Sequence, residues 1–307
     1  MKTAISTSSF AKFSDEPLRL LQERNIEAVL NPYGRALSED EAIALLQGCV
    51  GVAAGTEPLT ARVMEACPDL RVISRCGVGM DSVDLEAAAA RGIIVRNTPD
   101  GPTRAVAELT LGYALDLLRE VSRMDREMRA GQWKKRMGSL LQDKVLGIVG
   151  FGRIGRAVAD LFAVLGCTVC FFDPAVRENC GSYRSLSMEE LLARADIVTL
   201  HTAKPRDGSL ILDAGRIAGM KQGAWLINAA RGGIVDEQAL FEALREGRLS
   251  GAALDVFAKE PYSGPLLELP QVILTPHVGS YAKEARITME TDTIRNLLDG
   301  LQQCKLL

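Results

Sequence analysis

The chain has 307 residues, 47% of them hydrophobic and 24% charged, with a formal net charge of −3. This length predicts roughly two domains, and the charge balance excludes the basic footprint of a nucleic-acid-binding protein. No apolar run reaches the ~20 residues that a membrane-spanning helix needs, and the N-terminal segment lacks the apolar core of a signal peptide. We therefore expect a cytoplasmic protein with neither nucleic-acid nor membrane partners.

Short apolar runs alternate with helical patterns along residues 1–100, which predicts a small doubly wound α/β unit. The loop Gly77-Val78-Gly79 follows one of the predicted strands. Because α/β sheets bind ligands beyond the carboxyl ends of their strands, this position favours a ligand loop over an ordinary turn. Ser38 and the acidic residues after it predict the start of a helix. The predicted strands are 3–6, 28–30, 50–54, 72–74 and 93–95.

Turn-forming residues at 97–102 indicate a domain boundary, and a long helical pattern follows over residues 104–129. The first half of that pattern is apolar almost all round, which is typical of a buried helix. Trp133 then stands beside three cations, at 134–136. This segment is either an arm that faces a partner or a solvated loop.

Residues 145–155 read VLGIVGFGRIG, an apolar run followed by a G-x-G-x-x-G turn and a helical pattern. A second apolar run, 168–172, ends at Asp173, 18 residues after Gly155. The glycines allow a tight turn and close approach of a pyrophosphate, the helix N-terminus attracts phosphate, and the acid meets the ribose hydroxyls. The stretch therefore predicts a dinucleotide site in a second α/β unit that contains six strands, 145–149, 168–172, 197–201, 224–228, 252–256 and 272–275.

Seven cysteines are scattered along the chain. Cys167 and Cys170 form a C-x-x-C, but they lie at a predicted buried strand with no second pair or nearby histidine. We therefore predict reduced structural thiols and no metal site.

Four later stretches carry a family resemblance: NAARGG at 228–233, ALDVF at 253–257, Glu260-Pro261, and TPHVG at 275–279. With the glycine loop, they resemble the NAD-dependent D-2-hydroxyacid dehydrogenases, and most of all the phosphoglycerate dehydrogenase branch. The resemblance implies a flavodoxin-like substrate-binding domain of residues 1–99 and 285–307. It also implies a Rossmann NAD-binding domain of residues 100–284, and a homodimer that forms through residues 104–136.

The resemblance also implies roles for individual residues. His277 is implied to exchange a proton with the substrate oxygen, for which a histidine pKa near 6.5 is suited, and Glu260 to pair with it and fix its ring. Arg231 is implied to bind the substrate carboxylate and carbonyl through its two-pronged guanidinium. Asp173 is implied to bind the ribose, and Asp255 to hold the nicotinamide side of NAD.

Further residues are implied to line the two ligands. Backbone groups of Gly77, Val78 and Gly79 are implied to grip the substrate carboxylate. Arg231 and His277 also count among the cofactor contacts, with Gly150, Gly152, Arg153, Ile154, Gly155, Thr202, Ala229, Ala230, Val278, Gly279 and Ser280. The second histidine, His201, is interpreted as a structural or cofactor-lining residue.

Substrate identity stays open at this point. The phosphoglycerate branch usually carries a phosphate-binding cation after the strand that corresponds to 50–54, but here the strand runs into Ala54-Gly55. Arg75, Arg104 or the cations at 134–136, the last from a partner subunit, are alternative sources of the phosphate contact. If none of them supplies it, a smaller acid such as glyoxylate or hydroxypyruvate is the expected substrate. An NAD-sensing corepressor is an alternative of another class, while formate dehydrogenases resemble the chain less because a glutamine takes the place of Glu260. The chain ends at Leu307, so we expect no feedback through a C-terminal regulatory domain.

Overall fold

The computed structural model describes residues 1–205 and 207–307. The chain forms two compact units, the first made of Met1–Pro102 and Ser280–Leu307, the second of Thr103–Gly279. Both are built on parallel sheets, which confirms the predicted α/β class. Among the described residues, no helix is both long enough and apolar enough to cross a bilayer.

A five-stranded parallel sheet in the order β2-β1-β3-β4-β5 forms the centre of the first unit. Its strands are β1 (Lys2–Ile5), β2 (Glu27–Leu30), β3 (Gly51–Ala54), β4 (Val72–Arg75) and β5 (Ile94–Asn97). Its helices are α1 (Glu16–Gln22), α2 (Glu39–Leu46), α3 (Ala61–Ala66), α4 (Leu85–Ala90) and α11 (Lys283–Gln303). The predicted start of α2 is confirmed, since Ser38 and Glu41 form a reciprocal capping box.

The C-terminal helix α11 completes the core of this first unit. Ile294, Leu297 and Leu301 are fully buried against the sheet. Small residues allow the close approach, because a Cβ added to Gly51 would lie 2.6 Å from Leu297 Cδ1. The chain therefore returns from the second unit to finish the first.

A seven-stranded parallel sheet in the order β12-β11-β10-β9-β6-β7-β8 forms the centre of the second unit. Its strands are β6 (Val145–Val149), β7 (Thr168–Phe172), β8 (Arg184–Ser185), β9 (Ile197–Leu200), β10 (Trp225–Asn228), β11 (Gly251–Leu254) and β12 (Val272–Leu274). Its helices are α5 (Gly101–Arg119), α6 (Val121–Arg129), α7 (Arg153–Val164), α8 (Met188–Arg194), α9 (Ala214–Gly219) and α10 (Glu237–Arg245), with a 3-10 turn at Pro265–Glu268. The six predicted strands are confirmed, and the short edge strand β8 is additional.

The single long helix predicted over 104–129 is wrong, because α5 ends and α6 begins on either side of Glu120. Glu120 adopts a left-handed backbone conformation with φ 51°. Asp116 stabilises the break by accepting hydrogen bonds from the N–H and hydroxyl of Ser122, the former at 2.7 Å. No glycine or proline marks the break, so the local sequence pattern does not indicate it.

Candidate active site

The glycine loop lies where the strand order of the second sheet reverses, since β6 lies between β7 on one side and β9 on the other. Gly150 follows β6 with φ +95°, a conformation that side chains rarely adopt. A Cβ there would lie 2.5 Å from the carbonyl oxygen of His201, and one at Gly155 would lie 2.1 Å from that of Gly150. Both glycines are therefore required for packing within the loop itself.

Gly152 differs from its two neighbouring glycines, because a Cβ added to it would meet nothing within 4 Å. It is the N-cap residue of α7, and no side chain there hydrogen-bonds to the N–H groups of the first helical turn. The first turn of α7, which contains Arg153 and Ile154, thus begins beside open space. A helix N-terminus of this kind attracts phosphate groups, so this loop fits the pyrophosphate of NAD.

Asp173 is fixed beside the glycine loop at the carboxyl end of β7. Its Oδ2 accepts a hydrogen bond from the N–H of Phe151 at 2.7 Å, and its Oδ1 accepts one from the N–H of Ala175 at 2.8 Å. A carboxylate offers about four acceptor positions, so the half-buried side chain retains capacity for ribose hydroxyls. Its placement also fits NAD.

Thr202 follows β9, the neighbour of β6 on the other side, and Ala229 and Ala230 follow β10, the neighbour of β9. Parallel strands bring their carboxyl ends to one edge of the sheet, so these residues share an edge with Gly150. This edge also carries Asp255, Val278 and Gly279, which follow the outer strands β11 and β12.

His277 and Glu260 come together on the loops after β12 and β11. The Nδ1 of His277 lies 3.0 Å from Oε2 of Glu260, and the two side chains are 50% and 39% exposed. The other carboxylate oxygen accepts a hydrogen bond from the N–H of Phe257 at 3.1 Å, which fixes the acid. Among the described residues, Nε2 of His277 has no hydrogen-bonding partner, so it faces outward from the pair.

The backbone of His277 is in the left-handed region, with φ 56°. Its N–H donates hydrogen bonds to the carbonyl oxygens of Asp255 and Thr275, at 2.9 and 3.0 Å. Such conformations cost about 1 kcal/mol or more and persist only where surrounding contacts impose them. Here the surrounding contacts come from Asp255 and Thr275.

Asp255 is 1% exposed, and both of its oxygens are occupied. Oδ1 accepts hydrogen bonds from the N–H of Val278 at 2.8 Å and from the hydroxyl of Thr275 at 2.5 Å, while Oδ2 accepts one from the N–H of Gly279 at 2.7 Å. The side chain that the resemblance assigns to the nicotinamide thus holds the loop that carries His277.

Tyr113 of α5 joins this buried network and was missed by sequence reasoning. Its hydroxyl hydrogen-bonds to the hydroxyl of Thr275 and, at 3.4 Å, to Oδ1 of Asp255. Burial raises the pKa of Tyr113 above its ordinary value. Its only signal in the sequence is that it is the one aromatic residue in this helical pattern.

Arg231 lies on the loop after β10, half-buried, where its Nη1 donates a hydrogen bond to the carbonyl oxygen of Ala230 at 2.7 Å. Asn228 supports the loop by donating from Nδ2 to the Arg231 carbonyl oxygen at 2.9 Å. A Cβ on Gly232 would lie 1.8 Å from the carbonyl oxygen of Phe257. The Arg231 loop therefore packs directly on the loop that holds Glu260.

His201 is excluded from proton exchange near neutral pH. Its Nε2 hydrogen-bonds to the Thr199 hydroxyl at 2.9 Å, and its buried Nδ1 has no partner among the described residues. Burial lowers the pKa of His201 to about 3, so the ring stays neutral. Of the two histidines in the sequence, only His277 is placed to exchange a proton with a ligand.

In the first unit, Gly77, Val78 and Gly79 follow β4. The N–H of Gly77 already donates to the hydroxyl of Thr98 at 2.8 Å. Asn97 holds the loop by donating from Nδ2 to the Val78 carbonyl oxygen at 2.8 Å. This leaves the N–H groups of Val78 and Gly79 to serve as the predicted donors to a carboxylate. Ser280, predicted among the cofactor contacts, also belongs to this unit.

The two cysteines of the C-x-x-C lie in the interior of the second unit. Cys167 and Cys170 are buried at β7, and burial raises the pKa of each thiol to about 11. At that value the thiols stay protonated near neutral pH and are poor nucleophiles.

Comparison with known proteins identifies the family of the chain. A family model described as "D-isomer specific 2-hydroxyacid dehydrogenase, NAD binding domain" matches residues 111–279. A D-3-phosphoglycerate dehydrogenase from Pongo abelii is 40% identical over 275 residues, which cover 87% of this chain and 51% of the relative. The chain thus spans about half the length of the curated relatives it matches.

Two solved structures share the fold. The TT0316 protein from Thermus thermophilus is 38% identical with a TM-score of 0.91, covering 99% of this chain and 97% of that one. A glyoxylate reductase from Paecilomyes thermophila is 26% identical with a TM-score of 0.87, covering 100% and 97%. The chain therefore belongs to the D-isomer specific 2-hydroxyacid dehydrogenase family, and its second unit contains the NAD-binding domain of that family.

Proposed function

We propose that the protein catalyses the NAD-dependent interconversion of a D-2-hydroxy acid and its 2-keto acid. The observation that carries the proposal is the pair of Glu260 and His277, 3.0 Å apart and half-exposed, in the same unit as the glycine loop. A histidine that is held at one ring nitrogen and open at the other can exchange a proton with a bound substrate.

Bound NAD supplies the hydride acceptor for oxidation and, when reduced, the hydride for the reverse direction. During oxidation, Nε2 of His277 removes the hydroxyl proton while Glu260 holds Nδ1 and keeps the ring oriented. During reduction, His277 returns that proton to the carbonyl oxygen. Arg231 donates hydrogen bonds to the carbonyl oxygen and the carboxylate, which stabilises the negative charge that develops there.

The first unit is proposed as the substrate-binding domain, with the N–H groups of Val78 and Gly79 as donors to the substrate carboxylate. The names of the curated relatives support a phosphoglycerate dehydrogenase-like substrate. A glyoxylate or hydroxypyruvate reductase is the second candidate, supported by the absence of a cation where β3 runs into Gly55. Both candidates use the same chemistry at His277.

The test is NADH oxidation by the purified protein with glyoxylate, hydroxypyruvate, phosphohydroxypyruvate and other 2-keto acids. We expect turnover with at least one acid. Replacing His277 by alanine is expected to lower kcat by about a thousandfold, because positioned acid–base groups contribute ~10²–10⁴-fold, while NADH still binds. Tight NADH binding with no turnover of any acid would instead support an NAD-sensing protein of the corepressor kind.

We also propose a homodimer that forms through residues 104–136 and the segment just after them. In this part of the second unit, large apolar side chains are exposed, among them Trp133 at 79% and Met137 at 96%. Several large exposed apolar side chains along one segment support a protein–protein contact there. Analytical sedimentation of the wild type is expected to show a dimer, and Trp133→Ser is expected to raise the dissociation constant of that dimer. A wild type that sediments as a monomer would refute the proposal.

A cytoplasmic location is part of the same proposal. All seven cysteines are free, which supports a reducing compartment because secreted proteins tend to pair their cysteines.

A further inference from the structure

The loop that carries Arg231 is held from within by one buried amide that the proposed mechanism does not use. Asn228, the last residue of β10, is 2% exposed. Its Oδ1 accepts a hydrogen bond from the N–H of Ala230 at 3.1 Å, and its Nδ2 donates one to the carbonyl oxygen of Arg231 at 2.9 Å. The amide therefore spans both ends of the Ala230–Arg231 pair.

The guanidinium of Arg231 is anchored on the same pair of residues. Its Nη1 donates a hydrogen bond to the carbonyl oxygen of Ala230 at 2.7 Å. With the two bonds of Asn228, this contact closes a ring of three hydrogen bonds within four consecutive residues. A backbone rotation that releases the amide also moves the carbonyl group that anchors the guanidinium. The orientation of the Arg231 side chain is therefore coupled to the amide of Asn228.

The main chain of Asn228 connects this ring to the other half of the site. Its carbonyl oxygen accepts a hydrogen bond from the N–H of Asp255 at 2.9 Å. The carboxylate of Asp255 in turn holds the loop that carries His277. Asn228 thus contacts the support of His277 through its backbone and the loop of Arg231 through its side chain.

An amide is the side chain that matches this position. It offers an acceptor and a donor on one planar group, as the N–H of Ala230 and the carbonyl oxygen of Arg231 require. A carboxylate would place a negative oxygen against that carbonyl oxygen. Alanine would remove both bonds from buried backbone groups, which costs free energy.

We propose that Asn228 is a positioning residue for the reaction, one that acts by orienting Arg231 toward the substrate. The inference rests on the proposed function, in which Arg231 binds the carbonyl oxygen and the carboxylate of the 2-keto acid. Two-pronged binding by a guanidinium depends on its orientation, and a misplacement of about 1 Å at an active site can cost about a hundredfold in rate. Loss of the amide should therefore weaken the use of the 2-keto acid.

The first test is a double-mutant cycle on kcat/KM for the 2-keto acid that the wild type reduces fastest. Asn228→Ala should lower kcat/KM by at least about tenfold, with a higher KM and a lower kcat, because Arg231 contacts both the carboxylate and the reacting carbonyl. In an Arg231→Ala background, the same change should have less than about a twofold effect, because the residue through which it acts is gone. Single-turnover reactions with excess enzyme measure the slow rates of that background. Equal losses in the two backgrounds would overturn the inference.

Asn228→Asp is a second variant of nearly the same shape, and it decides the question even if the alanine variant does not fold. Its carboxyl group can donate to the Arg231 carbonyl oxygen only while it is protonated, and burial raises the pKa of a carboxyl group. The ratio of its kcat/KM to that of the wild type should therefore be highest at low pH and fall as the pH rises. A ratio that is low at every pH would refute the inference, because the restored donor would not have restored Arg231.

Asn31→Ala is the matched control, because Asn31 makes the same kind of contact on the loop after β2 in the first unit. Its Oδ1 accepts a hydrogen bond from the N–H of Tyr33 at 2.9 Å, and its Nδ2 donates one to the carbonyl oxygen of Arg35 at 2.9 Å. Its kcat/KM should match that of the wild type. A wild type that reduces no 2-keto acid would refute the proposed function instead, so that failure is distinguishable from a failure of the role of Asn228.

Discussion

Tyr113→Phe tests whether the buried network behind His277 positions that residue. The substitution removes only the hydroxyl, which bonds to the Thr275 hydroxyl and lies 3.4 Å from Oδ1 of Asp255. The longer contact contributes little, and a neutral hydrogen bond contributes about 0.5–1.5 kcal/mol. Asp255 keeps its bonds to Thr275, Val278 and Gly279, so the network is weakened but not broken.

We therefore expect a loss of about 1 kcal/mol in the free energy of unfolding. For a unit of this size that corresponds to a fall in Tm of roughly 2–4 °C. The loop after β12 should be less well held in the left-handed conformation of His277, so kcat should fall by about tenfold while the Kd for NADH changes less. The measurements are thermal unfolding, steady-state kinetics with the best 2-keto acid, and NADH titration.

Tyr183→Phe is the matched control. It also removes a tyrosine hydroxyl from the second unit, one that donates to Oδ1 of Asp160 at 2.7 Å on the surface. Its kcat should match that of the wild type. If Tyr113→Phe lowers Tm but leaves kcat unchanged, the network only stabilises the fold and the reasoning about position is refuted.

Two further predictions concern the cofactor loop. Asp173→Ala should relax the preference for NAD over NADP, because the carboxylate repels a 2′-phosphate. Asp173→Asn is the control for the lost hydrogen bond from Phe151, since its amide oxygen can still accept that bond. If the ratio of kcat/KM with NAD to that with NADP is unchanged in Asp173→Ala, another residue discriminates between the cofactors. Gly155→Ala should lower Tm by several degrees, because its Cβ would lie 2.1 Å from a backbone oxygen. Gly152→Ala should keep the wild-type Tm, because its Cβ would meet nothing within 4 Å. The same variant should weaken NADH binding by at least about tenfold, because the added methyl group would occupy the open space beside the first turn of α7. Calorimetry and NADH titration check the glycine pair, and equal behaviour of the two variants would contradict the packing argument.

The α/β class and the glycine loop follow from the sequence, because both depend on local patterns. A buried parallel strand is a continuous apolar run, and a phosphate loop requires glycines at fixed spacing. The pairing of Glu260 with His277 was implied by a family resemblance and by no spacing rule. Their side chains lie 3.0 Å apart because β11 and β12 are neighbours in the sheet.

The network around Asp255 depends instead on tertiary packing, since its members come from α5 and from the ends of β11 and β12. The same holds for Glu57, which reads as an ordinary loop acid but is buried against Ser6, 51 positions away. The helix break at Glu120 could not be predicted from the sequence either, because it depends on the hydrogen bonds of Asp116 and not on a glycine or proline. Local periodicity fixes elements, whereas the burial and pairing of a polar side chain depend on which distant segments pack against it.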